Sequence, residues 1–352
     1  MLKPYRVLLA VLISIMVVVS LVVLYLVYGL VESASVDTKT KLIIDHDGGA
    51  DDAMALFMAL LYEKYHEGPE VIALTTTHGN VGEEQTYNNT QRILSIAERK
   101  DVPIFRGSSR ALLSGLPSDH YFGVDGLGDN GTAVYDAIAP EKDHAVFALI
   151  ELSKKYKDEL VIVALGPLTN IALAVRIDPD FLSRLSQLFV GAGHVYGDNF
   201  TKPEFNAAMD VEAYHIVVNS GRPDKLTIIP FSQILTYQKL DKEWRHDTLG
   251  SIKTKIMDSL NTFEQISFKS NSYWCLLDPA AMAIALEEHT VVDYALYTNN
   301  SIILYDKSRG INTNDYVQEE GANARLIFKV NKDSYKEFLY NLFSSDLLVS
   351  TS

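Results

Sequence analysis

Four carboxylates fall within eight residues, directly after a short apolar run at 42–44. Asp45, Asp47, Asp51 and Asp52 would lie within a few ångströms of one another, where like charges repel. If a helix begins at Asp51 and Asp52, its dipole would offset only a small part of this repulsion. A hard divalent cation is the simplest partner, since it binds through carboxylate oxygens. The other explanation is a capped helix with a solvated acidic turn.

A strand, a tight turn and a helix must position these carboxylates. Apolar and amphipathic segments alternate along the chain, which predicts an α/β fold with an open, doubly wound, mainly parallel sheet and helices on both faces. In such a sheet, ligands bind in the crevice at the carboxyl ends of the strands. The predicted strands are 42–44, 71–77, 160–164, 188–191 and 226–229, with 300–305 and 324–330 as a late antiparallel edge. The predicted helices are 52–65, 85–98, 144–156, 168–176, 211–220, 279–286 and 333–343.

Further polar clusters end or follow the predicted strands and would meet the acidic turn at this crevice. Each cluster alone is ordinary turn chemistry. Together they would ring the carboxylates with amides and further carboxylates, which suits a polyhydroxylated ligand such as a sugar. These clusters are 75–80, 164–170, 191–194, 204–206 and 278–279.

Bulk properties narrow the class of protein. The chain has 352 residues and a formal net charge of −14. This charge argues against nucleic acid as a partner, because phosphate binding needs a basic surface. Cys275 is the single cysteine, so an intrachain disulfide is excluded. We see no internal repeat, and we predict one domain over 40–350.

The N-terminus predicts a membrane segment outside this domain. Residues 7–31 carry no charge and are long enough to span a bilayer, which needs about 20 apolar residues. Basic residues precede the run, so 1–6 would be cytoplasmic and 32–39 a linker to an extracellular or lumenal domain. We therefore expect a single-pass type II signal-anchor, with cleavage and secretion of the domain as the alternative. Four glycosylation sequons fit this route: Asn88, Asn130, Asn199 and Asn299.

The motifs resemble those of the nucleoside hydrolase family, the inosine-uridine preferring N-ribohydrolases. The family signature DxDxGxDDAxAL appears at 45–56. The segments 79–80, 166–172, 204–206 and 278–279 match other family blocks in the same order. The resemblance extends from about 41 to 343 and implies hydrolysis of the N-glycosidic bond of ribonucleosides by metal-activated water.

The resemblance also implies roles for individual residues. Ca²⁺ would be the cofactor, and Asp47 would act as the general base. Asp45 would orient the turn from behind the ligands. The implied metal ligands are Asp47, Asp52, the backbone carbonyl of Leu165, and Asp278. The implied partners of the ribose hydroxyls are Asp51, Asn80, Asn199, Glu204 and Asn206, although Asn199 is one residue closer to Glu204 than the family spacing.

Two positions depart from the family pattern. Many members have His immediately before the last metal-binding Asp, where it is thought to protonate the leaving base, and a second His before Asp-Gly-Leu-Gly. Leu277 and Phe122 occupy these positions here. The sequence therefore leaves the leaving-group acid and the base preference open. Candidate residues of the base pocket are His120, Tyr121, His194, Tyr273, Trp274 and Cys275.

Two other functions remain open at this point. A protein with an intact metal and sugar site but no leaving-group acid would bind nucleosides at a membrane without cleaving them. A haloacid-dehalogenase-like phosphatase also begins with a strand and Asp-x-Asp-Gly, here at 45–48, but would not explain Asp51 and Asp52. The family resemblance further implies a homodimer or a homotetramer.

Overall fold

A nine-stranded sheet forms the centre of the described chain. The structure is a computed structural model, and it describes residues 40–131, 135, 137–197 and 199–347. The strand order is β3-β2-β1-β4-β5-β6-β9-β7-β8. The strands are β1 (Lys41–His46), β2 (Glu70–Thr76), β3 (Ile104–Phe105), β4 (Leu160–Ala164), β5 (Gln187–Gly191), β6 (Leu226–Ile229), β7 (Val292–Ile302), β8 (Asn312–Tyr316) and β9 (Ala324–Val330).

Helices cover both faces of this sheet, as the alternating pattern predicts. Strands β1 to β6 and β9 pair in parallel, whereas β7 pairs antiparallel with β8 and β9. The mainly parallel α/β architecture is therefore confirmed. The α-helices are α1 (Ala50–Tyr65), α2 (Glu83–Ile96), α3 (Ala145–Lys155), α4 (Thr169–Ile177), α5 (Phe181–Arg184), α6 (Phe205–Met209), α7 (Val211–Ser220), α8 (Phe231–Tyr237), α9 (Lys255–Phe263), α10 (Leu277–Val291) and α11 (Lys332–Ser344).

Strand β1 lies between two hydrophobic cores because its side chains alternate between the faces of the sheet. Leu42 and Ile44 pack into the core that contains residues of α1, α10 and α11. Ile43 packs into the second core, with residues of α3, α4 and α7. Burial on both faces explains the continuous apolar sequence of β1. It also fixes the strand whose carboxyl end carries the acidic turn.

The antiparallel edge differs from its prediction. Strand β7 begins at Val292, directly after α10, and is longer than the predicted strand at 300–305. Helix α10 extends past the predicted end at 286 across a non-helical residue, Glu287. Strand β8 was not predicted, because its sequence Asn-Thr-Asn-Asp-Tyr is polar and mostly exposed and lacks the apolar alternation of a core strand.

The predicted membrane localisation needs correction. Within the part of the chain that the structure describes, no helix is both long enough and apolar enough to cross a bilayer. The single-pass membrane localisation predicted from the sequence therefore finds no support in the described residues. The signal-anchor predicted at 7–31 lies outside the described residues.

A buried ion pair fixes the segment that precedes α10. Arg245 donates through Nη2 to Glu264 Oε1 at 2.7 Å, and both side chains are almost fully buried. Trp274 Nε1 donates to Glu264 Oε2 at 2.6 Å, and Leu240 and Trp274 exchange backbone hydrogen bonds of 2.8 Å. Glu264 thus links the end of α9 to the residues that lead into Leu277.

Glu264→Gln is expected to destabilise the fold by about 3–5 kcal/mol, because Arg245 would remain charged and buried without its carboxylate. Urea unfolding followed by circular dichroism measures the loss. The control is Glu151→Gln, which removes an exposed pair with Lys154 and should cost at most about 1 kcal/mol. Equal stability of the two variants would show that Arg245 is compensated by other groups.

Candidate active site

The acidic turn lies at the carboxyl end of β1, and the carboxylate of Asp52 fixes its shape. Asp52 Oδ1 accepts from the backbone N–H of Asp47 at 3.1 Å, and Oδ2 accepts from that of Gly49 at 2.7 Å. Helix α1 then begins at Ala50, so Asp51 and Asp52 lie in its first turn. The free N–H groups and the dipole of this turn favour negative charge. The local sequence therefore directs several carboxylates to one point.

Asp278 joins this turn from the other side of the site. It lies in the first turn of α10, and carboxylate oxygens of Asp51, Asp52 and Asp278 lie within 4.8 Å of one another. Burial raises the pKa values of Asp47, Asp51 and Asp278 well above the ordinary value of a carboxyl, and the negative charges of neighbouring Asp side chains raise them further. Such a group needs protons or a cation to be stable.

A hard divalent cation fits these donors. Three carboxylate oxygens from Asp51, Asp52 and Asp278 are close enough to share one ion, and carboxylate and carbonyl oxygens are the ligands that Ca²⁺ and Mg²⁺ prefer. The sequence predicted Asp47 in this set, with Asp51 assigned to the sugar. The predicted carbonyl of Leu165 accepts from Asn206 Nδ2 at 2.7 Å, which leaves a second lone pair for another partner.

Asp47 is held against the loop that follows β2. Its Oδ2 accepts from the backbone N–H of Asn80 at 2.8 Å, and its carbonyl accepts from Thr86 Oγ1 at 2.9 Å. The preceding residue, Gly79, approaches so closely that a Cβ there would lie 1.8 Å from Asp47 Oδ2. Only glycine leaves room for the carboxylate at this point. Asn80 itself lines the cavity beside Asp47 and Asp51.

Asp45, which the family resemblance assigns to a position behind the metal ligands, is fully buried at the end of β1. Its Oδ1 accepts from Thr75 Oγ1 at 2.6 Å and from Asn170 Nδ2 at 2.8 Å. Burial raises its pKa to about 7, although both hydrogen bonds oppose the shift. Asn170 also donates to the carbonyl of Thr76 at 3.0 Å. Asp45 therefore joins the ends of β1 and β2 to the first turn of α4.

Glu204 and Asn206 form the opposite rim of the site. Glu204 caps α6: its carboxylate accepts from the N–H groups of Asn206 and Ala207, both at 3.0 Å, and from Gly193 at 2.8 Å. The Asn206 amide donates to the carbonyls of Leu165 and Gly191 at 2.7 and 2.9 Å. Both side chains are buried and oriented before any ligand arrives.

These groups surround a cavity of about 380 Å³, within the range of small-molecule sites. Most predicted site residues line it, whereas Asp52 is buried behind the surface. Asn199 is exposed and is not among the described residues of the lining, so the structure does not bring it to the site. The lining residues named from the sequence are Asp47, Asp51, Asn80, Leu165, Glu204, Asn206 and Asp278.

An aromatic and apolar wall completes the cavity. Phe122 and Leu277, at the two positions where the family often has His, both line it. Of the candidate base-pocket residues, Tyr121, His194, Tyr273 and Cys275 line the cavity, whereas His120 and Trp274 are not among its described lining. Six lining residues were not named from the sequence, because segments far apart in the chain carry them: Asp119, Pro203, Phe205, Phe231, Asn271 and Leu276.

Comparisons with known proteins point to one family. The model of the family described as inosine-uridine preferring nucleoside hydrolase matches residues 42–337. Uridine nucleosidase 1 of Arabidopsis thaliana is 32% identical over 291 residues, which cover 80% of this chain and 82% of that protein. The solved structure of an inosine-guanosine nucleoside hydrolase superposes with a TM-score of 0.77 at 26% identity and covers 86% of this chain and 98% of that chain. A plant nucleoside hydrolase superposes with a TM-score of 0.75 at 27% identity and covers 87% of this chain and 99% of that chain.

Without a divalent cation, stability should fall as the pH rises. The ordinary pKa of Asp45 is 3.8, and the fold raises it to about 7. The folded protein therefore keeps a proton that the unfolded chain loses, and its advantage disappears as the pH rises through this window. Urea unfolding in EDTA at several pH values measures the slope. Asp45→Asn should flatten it, and the exposed Asp333→Asn should not; equal slopes in all three proteins would exclude Asp45 as its source.

Gly79→Ala should weaken divalent-cation binding by about 10–100-fold, because the new methyl group displaces the Asp47 carboxylate. Titration calorimetry with Ca²⁺ measures the change. Gly82→Ala is the matched control, since a Cβ at Gly82 meets nothing within 4 Å. Unchanged affinity in a folded Gly79→Ala protein would show that Asp47 is not needed to hold the cation.

Proposed function

The chain belongs to the inosine-uridine preferring nucleoside hydrolase family, and we propose that it cleaves ribonucleosides with the help of Ca²⁺ held by its acidic cluster. Its relatives and structural neighbours are N-glycosyl hydrolases of purine or pyrimidine ribonucleosides, which makes this chain an enzyme of the same type. The observation that carries the proposal is the group formed by Asp51, Asp52 and Asp278, with oxygens within 4.8 Å of one another. The nucleoside-binding and phosphatase alternatives are not favoured.

The residues that would hold Ca²⁺ are Asp47, Asp52, Asp278 and the carbonyl of Leu165, with Asp51 in the same cluster. When bound, the cation would neutralise the buried carboxylates and make a nearby water a better nucleophile. This assignment agrees with the raised pKa values of Asp47 and Asp278, since both are costly to ionise in the buried site without a positive charge.

The carboxylates of the site contribute to the chemical step in two ways. Hydrolysis of an N-glycosidic bond passes through a sugar with oxocarbenium character, and the carboxylates beneath the cavity stabilise that developing positive charge. Asp47 accepts the proton of the attacking water, as a general base at the site of attack. The backbone N–H of Asn80 holds one of its oxygens at 2.8 Å, so the carboxylate is oriented in advance.

The polar rim selects the sugar. Asp51, Asn80, Glu204 and Asn206 line the cavity and would bind the ribose hydroxyls. Glu204 and Asn206 are already fixed by backbone groups, so little entropy is lost when a hydroxyl binds. A 2′-deoxynucleoside would leave a buried polar group unpaired, which a site of this kind rejects strongly.

Ribose release from inosine, uridine, adenosine, guanosine and cytidine tests the function. We expect activity with Ca²⁺, loss of activity in EDTA, and a decrease of about 10²–10⁴-fold in kcat for Asp47→Asn, which cannot accept the proton. The exposed Asp333→Asn is the control and should retain full activity. Each protein is checked for folding by circular dichroism.

Three outcomes would contradict the proposal. Nucleoside binding without ribose release by the folded protein would favour a binding protein. Full activity in EDTA would exclude the cation from the reaction. Equal rates on uridine and 2′-deoxyuridine would remove the assigned role of the polar rim.

A further inference from the structure

A hydrogen-bonded pair of side chains lies in the wall of the cavity. Asn271 Nδ2 donates to the phenolic oxygen of Tyr121 at 2.9 Å. Tyr121 comes from the loop between β3 and α3, and Asn271 comes from the segment that leads into α10. Both residues line the cavity, so the pair joins two separate loops at the site itself.

The surroundings of this pair suit a planar nucleobase rather than a sugar. Phe122 and Leu277 are buried and apolar, and the Tyr121 ring packs edge-on against Phe122 with centroids 4.8 Å apart. Cys275 also lines the cavity, but burial raises the pKa of its thiol to about 12, so it stays neutral.

We propose that Tyr121 donates a hydrogen bond to the leaving nucleobase and that Asn271 is the positioning residue that aims its hydroxyl. The proposal rests on the proposed hydrolase function. The side chains of Phe122 and Leu277 have no polar hydrogen to donate to the leaving base. The proposal therefore assigns leaving-group stabilisation to Tyr121.

The direction of the hydrogen bonds supports this role. A phenolic hydroxyl has one proton to donate and accepts through its oxygen. Since Asn271 donates to that oxygen, the proton of Tyr121 remains available for another acceptor. Asn271 also reduces the cost of any negative charge that develops on the phenolic oxygen, as a donor to the charged form does.

The reaction balances without a net change in Tyr121. The C1′–N bond breaks with its electron pair going to the nucleobase, and a bond forms between C1′ and the water oxygen. One water proton passes to Asp47, and the departing base is stabilised by the Tyr121 hydroxyl until solvent protonates it. Burial raises the pKa of Tyr121 to about 12, so the hydroxyl keeps its proton at neutral pH.

Leaving-group dependence tests the proposal with Tyr121→Phe. Uridine and inosine need help for their departing bases, whereas p-nitrophenyl riboside releases a stable anion without a donor. We expect kcat on the nucleosides to fall by about 10²-fold, as when one stabilising donor is removed, with little change on p-nitrophenyl riboside. Pairs of 5-fluorouridine with uridine, and of 7-methylguanosine with guanosine, give the same comparison within nucleosides.

Two further variants make the result specific. Asn271→Ala should show the same substrate-dependent loss to a smaller degree, because the hydroxyl remains but is no longer aimed. Tyr65→Phe removes a tyrosine hydroxyl that donates to Asp346 at 2.8 Å at the C-terminal end of α1, and it should change neither rate.

The outcomes separate this proposal from the hydrolase function. Equal losses on nucleosides and activated ribosides would overturn it, since they would indicate a packing role for Tyr121. Unchanged rates on both would also overturn it. A wild-type protein that cleaves neither class of substrate would refute the proposed function itself.

Discussion

The repulsion among buried carboxylates at the end of β1 is the constraint on which the rest of the structure depends. Burying an unpaired charge costs several kcal/mol, and this fold buries Asp45, Asp47, Asp52 and Asp278. Backbone N–H groups donate to the carboxylate of Asp52, and Thr75 and Asn170 donate to that of Asp45. These hydrogen bonds compensate part of the negative charge. The remainder calls for protons or a cation. The central place of β1, covered by a core on each face, holds this arrangement rigid.

The sequence predicted the central architecture well because local signals and tertiary burial agree there. Strands β4 and β6 and helix α7 have their predicted bounds, since continuous apolar runs in a parallel sheet are difficult to mistake for loops. The antiparallel edge was harder. Strand β8 is polar and mostly exposed, and β7 follows α10 without a turn. Their pairing is decided by contacts distant in sequence, which a local pattern does not contain.

The site likewise contains residues that a local motif predicts and residues that only contacts distant in sequence position. The acidic turn was predictable because one short segment holds four of its carboxylates, and Asp278 was placed through the family resemblance. Asn271 was missed because its position is set by the buried contacts of Trp274, Glu264 and Arg245. Asn199 was assigned through the family resemblance, although its spacing to Glu204 is one residue short, and it lies exposed. Spacing does not fix a side chain in a loop without a buried anchor.

One amide connects the two halves of the site. Asn206 donates both to the carbonyl of Leu165, an assigned cation ligand, and to that of Gly191, while its side chain lines the cavity where a ribose would bind. Cation and sugar would therefore act on one hydrogen-bonded network. Thermodynamic reciprocity requires that the factor by which the cation changes sugar affinity equal the factor by which the sugar changes cation affinity. Where free cation is scarce, the nucleoside concentration itself would then help to set the fraction of metal-loaded enzyme.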